Sequence, residues 1–499
     1  MTRFSRQSGV FAHPTSLPSP HGIGSIGQPS RKFVDTLAEA DQSLWQLCPL
    51  GPISGVHGNS PYQAYSAFAI EPLLIDLDVL VEAELLTPQE ATPTAPFPEE
   101  YVDYDAVREF KYPLFRTAFD RFDEDRPDEL WDAFEQFREE TDWLENYALF
   151  RALKREFDGQ GWTDWPEPVA LRAEDALEEY RDELSDEIRY REFLQFVATR
   201  QWNRLRAHAE QRGVKVVGDL PIYVAQDSAD VWAHPELFEL EEDGTPKDVS
   251  GVPADENNPA QKWGPPVYDW AEHEASGYEW WVARLERQLE LADIVRLDHF
   301  RGFEEYYAIP ADGEGHEGEW RSGPGIDFFR RIEEELGELP FIAEDIGFVT
   351  EEITQLRRDI DAPGMKVMQY ADWCAEEHIY LPHTYEQDTV AYPGTHDTNT
   401  VRGWYESLDD QQVDCLHYYL GTDGSDIHWD MIERAWHTAS VLSVVPLQDL
   451  YGLGADARFN TPGTETGNWD WRCTDELLDR FPAERLRTIT HEADRSVGH

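Results

Sequence analysis

Three short stretches put ionisable groups at the ends of apolar runs: Arg296-Leu-Asp298-His299, Ala343-Glu344-Asp345 and Thr395-His396-Asp397. Side chains alternate between the faces of a strand, so Arg296 and Asp298 point the same way, two residues apart. A buried guanidinium and carboxylate are tolerable side by side only as a pair. At the end of a parallel strand, such a pair sits where a barrel enzyme keeps its reacting groups. A lone Arg-x-Asp more often just closes a strand end; the repetition of acid-loaded strand ends is what changes the reading. Two carboxyl groups about 5–5.5 Å apart, one ionised and one protonated, are what retaining cleavage of a glycosidic bond requires. Arg296 favours the ionised form of Asp298. Glu344 follows the apolar Phe341-Ile342-Ala343, a setting that favours a retained proton. Asp397 supplies a third carboxylate, suited to sugar hydroxyls and to developing positive charge.

A metal-dependent hydrolase is a second reading. His13, Asp219, Asp298, His299, Glu344, His396 and Asp397 include its ligand types. Against it, Arg296 would repel the ion, and neither a His-x-His nor a His-Glu-x-x-His spacing occurs. Taken singly, His299 or His396 is more often a satisfied structural histidine, and Glu344-Asp345 a helix cap.

Eight apolar runs can position these groups: Gly9–His13, Leu44–Cys48, Val214–Val217 with Gly218–Tyr223 behind it, the run ending in Asp298, Phe341–Asp345, Met365–Tyr370, Thr389–Gly394 and Ser440–Val445. Amphipathic segments such as 327–338 separate the later ones. The pattern predicts an α/β protein, a (β/α)8 (TIM) barrel with large insertions between strands. The insertion 64–205 is expected to be mostly helical, with helical spacing over Trp131–Phe157 and over Phe193–Arg212. Thr87–Glu100 reads as an exposed loop. The insertion 225–290, rich in Gly, Pro, Trp and Asn through Trp270, reads as a loop-rich lid. No separate C-terminal β-domain is expected.

The 499 residues carry 100 Asp plus Glu against 42 Lys plus Arg, a formal charge of −58. That field excludes nucleic acid and anionic membranes as partners. The acid is spread along the chain and only seven of the cations are Lys. Such a surface suits a salt-rich cytoplasm, where screening over about 3 Å at 1 M removes self-repulsion. Cys48, Cys374, Cys415 and Cys473 form no Cys-x-x-Cys pair, so neither a disulfide framework nor a zinc site is expected. The polar N-terminus and the lack of an apolar run of about 20 residues predict a soluble, cytoplasmic protein.

The motifs resemble those of the amylomaltases, the 4-α-glucanotransferases of glycoside hydrolase family 77, and the resemblance runs almost end to end. It is carried by His13-Pro-Thr-Ser-Leu-Pro18, Ser60-Pro-Tyr-Gln63, Trp143–Phe150, Arg200-Gln-Trp202, Gly218–Val224, Asp227–Trp232, Arg296–Phe303, Ala343-Glu-Asp345 and Gly394-Thr-His-Asp397. The resemblance implies Asp298 as nucleophile with Arg296 beside it, Glu344 as acid/base and Asp397 as transition-state stabiliser. It implies Tyr62 and Asp219 at the donor sugar, with His299 and His396 on hydroxyls of the transferred sugar. Trp263 would stack on the acceptor, and Asn460 and Thr466 would contact the next sugar. Donor and acceptor would both be α-1,4-glucans, with no cofactor. Two departures stand out: Ala254 replaces the second Pro of the lid motif, and the loop 256–261 is short and lacks an aromatic. Both bear on lid closure and acceptor preference. Thr466 stands where Ser is usual and keeps the hydroxyl. An α-glucan hydrolase using the same carboxylates is the nearest alternative. A silent glucan-binding barrel would be expected to lack a carboxylate, and none is missing.

Overall fold

In the computed structural model, which describes residues 3–254, 260–347, 349–464 and 466–497, the eight apolar runs pair into one closed parallel barrel. In chain order the strands are β1 Gln7–Phe11, β2 Leu44–Gln46, β3 Lys215–Leu220, β4 Asp248–Val252, β5 Gln261–Pro266, β6 Ile294–Leu297, β7 Glu305–Pro310, β8 Glu319–Ser322, β9 Phe341–Ala343, β10 Gly364–Val367, β11 Thr389–Tyr392 and β12 Leu442–Pro446. The barrel runs β1-β2-β3-β6-β9-β10-β11-β12 and closes on β1. Its strands are buried almost throughout, which is why they read as continuous apolar runs rather than as alternating ones.

Helices Gln28–Glu39, Gly325–Leu336 and Glu351–Asp359 cross between β1 and β2, β6 and β9, and β9 and β10. Three helices, the second Asp410–Leu420, lie between β11 and β12. The connection from β10 to β11 has no α-helix among the described residues; it is loop with two short 3-10 turns, Met368–Tyr370 and Pro382–Thr384.

Between β2 and β3 the chain is helical. The stretch 131–157 forms two helices, Asp128–Glu140 and Leu144–Glu156, interrupted at Thr141-Asp142-Trp143. The helix that delivers the chain to β3 begins at Ser185, earlier than the spacing indicates, and ends at Gln211. Phe122 of helix Tyr104–Asp125 meets Trp131, Phe134 and Phe193 with ring centres 4.9–5.4 Å apart. Burying each such ring stabilises by about 1.5–3 kcal/mol, and these rings are continuous with the core around the barrel strands. Many of the tryptophans serve packing: Trp45, Trp162, Trp202, Trp232, Trp281 and Trp436 are fully buried.

A second, antiparallel sheet of order β5-β4-β7-β8 stands beside the barrel. Its first two strands come from the segment that reads as loop. Gly251, Gly264, Pro265 and Pro266 hide the strand pattern there, and the partners β7 and β8 arrive only after β6. Gly251 is required: a Cβ at this position would lie 2.2 Å from the Gln261 carbonyl oxygen on β5. Of the shortened loop 256–261, residues 256–259 lie outside the described residues and Gln261 opens β5.

One expectation is corrected. Cys374, on the β10–β11 connection, and Cys415, on helix Asp410–Leu420, form a disulfide across 41 residues of sequence. The fold brings them together, and no local spacing rule reads a contact over that distance. Cys48 and Cys473 are free and buried. No helix among the described residues is long and apolar enough to cross a membrane.

Candidate active site

Strand register brings the acids together. Asp219 on β3 pairs with Arg296 on β6, which pairs with Ile342 on β9. Leu297 pairs with Ala343, so Asp298 and Glu344 leave neighbouring strands at one level. Adjacent strands lie about 4.8 Å apart. The ladder continues past the strands, with Asp298 N donating to Leu220 O at 2.9 Å and Glu344 N to Leu297 O at 3.0 Å.

Arg296 organises the inner layer. Its Nη1 donates to Asp219 Oδ1 and Oδ2 at 2.7 Å each and to Asp298 Oδ1 at 2.8 Å. The Asp219 and Arg296 side chains are 0% and 3% exposed, while Asp298 is 26% exposed. Of the two carboxylates on this cation, Asp298 is therefore the one a ligand can reach. Burial disfavours the Arg296 cation, but Asp219 and Asp298 outweigh it and hold its pKa well above the usual value.

Glu344 sits in the opposite regime. Burial pushes its carboxyl up to about 8, with Asp298 and Asp345 adding to the rise; Arg296 and the His299 N–H pull against it. His299 N donates to Glu344 Oε2 at 2.8 Å, and Ile346 N to Oε1 at 3.2 Å. To aim its N–H there, His299 adopts φ 49°, ψ 50°, a left-handed conformation unusual for a residue with a Cβ. The side chain of Asp345 turns away: its Oδ1 accepts from Met365 N at 2.7 Å and its Oδ2 lies 3.3 Å from Arg357 Nε.

Asp397 lies on the loop after β11. Burial raises its pKa, but His396, the Asn460 amide and Arg296 together overcome that and hold it far below the usual carboxylate range. Asn460 Nδ2 donates to Oδ1 at 2.6 Å, and His396 Nε2 lies 3.2 Å from Oδ2. Tyr62 links this side to the Arg296 layer: its hydroxyl donates to Asp219 Oδ2 at 2.9 Å and lies 2.8 Å from His396 Nε2. The Tyr62 and His396 rings stack, 5.6 Å apart and 17° from parallel.

Trp263 on β5 reaches the mouth, with its ring 4.9 Å from that of His299 and nearly perpendicular to it. Burial pushes His299 down to about 4, and its Nε2 is buried without a partner. Thr466 is exposed on the loop after Asn460, and among the described residues no hydrogen bond ties it to the carboxylates. No group of three or more His, Cys, Asp or Glu among the described residues is arranged to hold a metal ion.

The family model described as 4-alpha-glucanotransferase matches residues 12–478. The chain belongs to this family. A 4-alpha-glucanotransferase of Synechocystis sp. is 43% identical, covering 99% of each chain. One from Thermus thermophilus is 42% identical over 98% of this chain and 99% of its own. Among solved structures, an amylomaltase from Streptococcus agalactiae in complex with acarbose superposes with a TM-score of 0.95 at 36% identity, covering 99% of this chain and 100% of that one.

Several residues around the glucanotransferase site escape the reading of the sequence. Arg458 Nη2 donates to Asp397 O at 2.7 Å and its Nε to Asn460 O at 2.7 Å, clamping the two residues. It stands two residues before Asn460 and is given no role by the resemblance. Tyr370 is 43% exposed. Burial of its hydroxyl, with the charges of Asp397 and Glu344, raises its pKa. Its position at the end of a strand candidate was the available signal. Tyr380 OH accepts from Gly347 N at 3.4 Å on the loop after Glu344, a contact that nothing in the sequence announces.

Proposed function

We propose that this 4-alpha-glucanotransferase moves α-1,4-glucan segments between chains by a retaining, two-step mechanism. Asp298 attacks the anomeric carbon of the donor while Glu344 protonates the departing glycosidic oxygen. The leaving glucan departs and a covalent glucosyl-enzyme remains on Asp298. Glu344, now ionised, takes the proton of an incoming 4-hydroxyl, and the new glycosidic bond displaces Asp298. Asp397 holds sugar hydroxyls and faces the positive charge that builds on the ring. Tyr62, His299 and His396 bind the transferred sugar, with the unpartnered His299 Nε2 available to a hydroxyl, and the buried Asp219 and Arg296 serve the donor-sugar site from behind, through Tyr62 and Asp298. Trp263, on the lid formed within 225–290, stacks on the acceptor and favours sugar over water. Asn460 and Thr466 meet the next sugar.

The observation that carries this reading is the contrast within one adjacent pair: Asp298 on a buried cation, Glu344 in a desolvated setting at about 8. That the similar Streptococcus agalactiae amylomaltase was solved in complex with acarbose supports a glucan as the ligand here. The experiment is the product ladder from pure maltotriose. Wild type should give glucose and longer oligomers, and Asp298→Asn should lose both by at least about 10⁴-fold, the scale of removing a nucleophile. An unchanged ladder would remove Asp298 from its role.

The charge of −58 with seven Lys supports a surface adapted to a salt-rich cytoplasm. Full folding and activity in dilute buffer would contradict that part of the proposal.

A further inference from the structure

The connection from β10 to β11 is built differently from the other crossovers between neighbouring barrel strands. With no α-helix among residues 368–388, only isolated turns such as Leu381 N to His378 O and Thr384 N to Leu381 O order its backbone, so its docking on the barrel rests largely on side chains. Trp373 packs against Tyr419, ring centres 5.2 Å apart, and His383 Nδ1 lies 2.7 Å from the Tyr419 hydroxyl. Both contacts dock the connection on helix Asp410–Leu420. The Cys374–Cys415 disulfide joins the same two elements covalently.

This connection also carries groups that reach the catalytic mouth. Gln369 Nε2 donates to Asn399 O at 2.8 Å on the Asp397 loop. The Tyr370 ring meets Tyr380 edge-on at 5.7 Å, and the charges of Asp397 and Glu344 act on its hydroxyl. Tyr380 in turn touches the backbone that follows Glu344. An acid that protonates the leaving glucan and then activates the incoming one must face both, so the wall beside Glu344 is the acceptor side. The segment between the two tyrosines is mostly exposed, Cys374 included, and Cys415 is half-buried. A small thiol can therefore reach the bond.

We propose that Cys374–Cys415 is a reversible thiol–disulfide site that tethers the acceptor-side wall and so sets the balance between transfer to sugar and transfer to water. The partner is a low-molecular-weight thiol. Its thiolate attacks one Sγ, the S–S bond breaks and the other cysteine leaves as thiolate. A second small thiol displaces the first from the mixed disulfide. Two external thiols are thereby oxidised to their disulfide, and the two cysteines end as thiols. In a reducing compartment a disulfide this accessible is poised to open, which is the usual behaviour of intracellular disulfides outside hyperthermophiles. The assignment rests on the transferase reading above, but the thiol count that tests it does not.

The experiment uses the full chain in three forms: air-handled, treated with dithiothreitol, and as the variants C374S and C415S. Alkylation in denaturant followed by intact mass should find two reactive thiols, Cys48 and Cys473, in the air-handled protein and four after reduction. With maltotriose as donor and glucose as acceptor, reduction should lower the ratio of transfer to hydrolysis by about fivefold, the effect of losing one ordered contact. Both variants should match reduced wild type and ignore dithiothreitol. Four reactive thiols in protein handled in air and oxidant, or a ratio unmoved by reduction of a proven disulfide, would overturn the proposal. If a Cys variant fails to fold, reduced wild type alone decides.

Discussion

The two sides of the barrel mouth hold carboxyl groups in opposite states. On the β6–β9 side, Glu344 receives two backbone N–H groups but remains dominated by burial, so its pKa rises to about 8. On the rim after β11, Asp397 is also penalised by burial, yet His396, Asn460 and Arg296 reverse the outcome. The difference is one of partners, not of depth. A nearby cation and a strong amide donor keep an acid ionised where desolvation alone would protonate it. Asp298 is more open than Asp219 but shares its guanidinium.

The largest way to break that contrast is Glu344→Gln, which removes the proposed proton donor. Transfer from maltotriose should fall by about 10²–10⁴-fold, the usual worth of general acid–base catalysis. Wild-type kcat/KM should decline as pH rises through about 8, because the required proton is lost there; the variant's residual rate should lack that limb. Arg296→Met comes next. It leaves Asp219 buried without its cation, costing about 3–5 kcal/mol of stability, read from the unfolding midpoint in urea. Arg296 also pulls Glu344 down, so its removal should move the alkaline limb to higher pH. A limb that stayed put would sever Arg296 from Glu344. The smallest effect belongs to Asn460→Ala. Losing one charge-assisted hydrogen bond to Asp397 should lower kcat/KM by about tenfold. A drop as large as that of Glu344→Gln would mean Asn460 does more than hold Asp397.

The barrel was legible because its strands are buried on both faces and end abruptly in charge, a signal that needs no long-range information. The same holds for Arg296, Asp298, Glu344 and Asp397, each attached to an apolar run. The side sheet was not legible: β5 contains Gly264-Pro265-Pro266, and the sheet's four strands lie on both sides of β6 in the chain. Tyr380 and the Cys374–Cys415 pair were hidden for a similar reason. Their meaning depends on partners 33 and 41 residues away, fixed by a connection without regular structure. Arg458 was visible as a cation in a turn-rich tail, but its carbonyl targets exist only once that tail folds back onto the β11 loop.

The central claim is that Asp298 becomes covalently glycosylated while Glu344 supplies and recovers the proton. Its most direct test is intact mass and peptide mapping of Glu344→Gln after brief exposure to α-maltosyl fluoride, a donor whose leaving group needs no acid. The account predicts a mass gain of one maltosyl unit on the peptide containing Asp298, absent when Asp298→Asn is added. An adduct on any other residue, or rapid turnover of the donor by the doubly substituted protein, would contradict it.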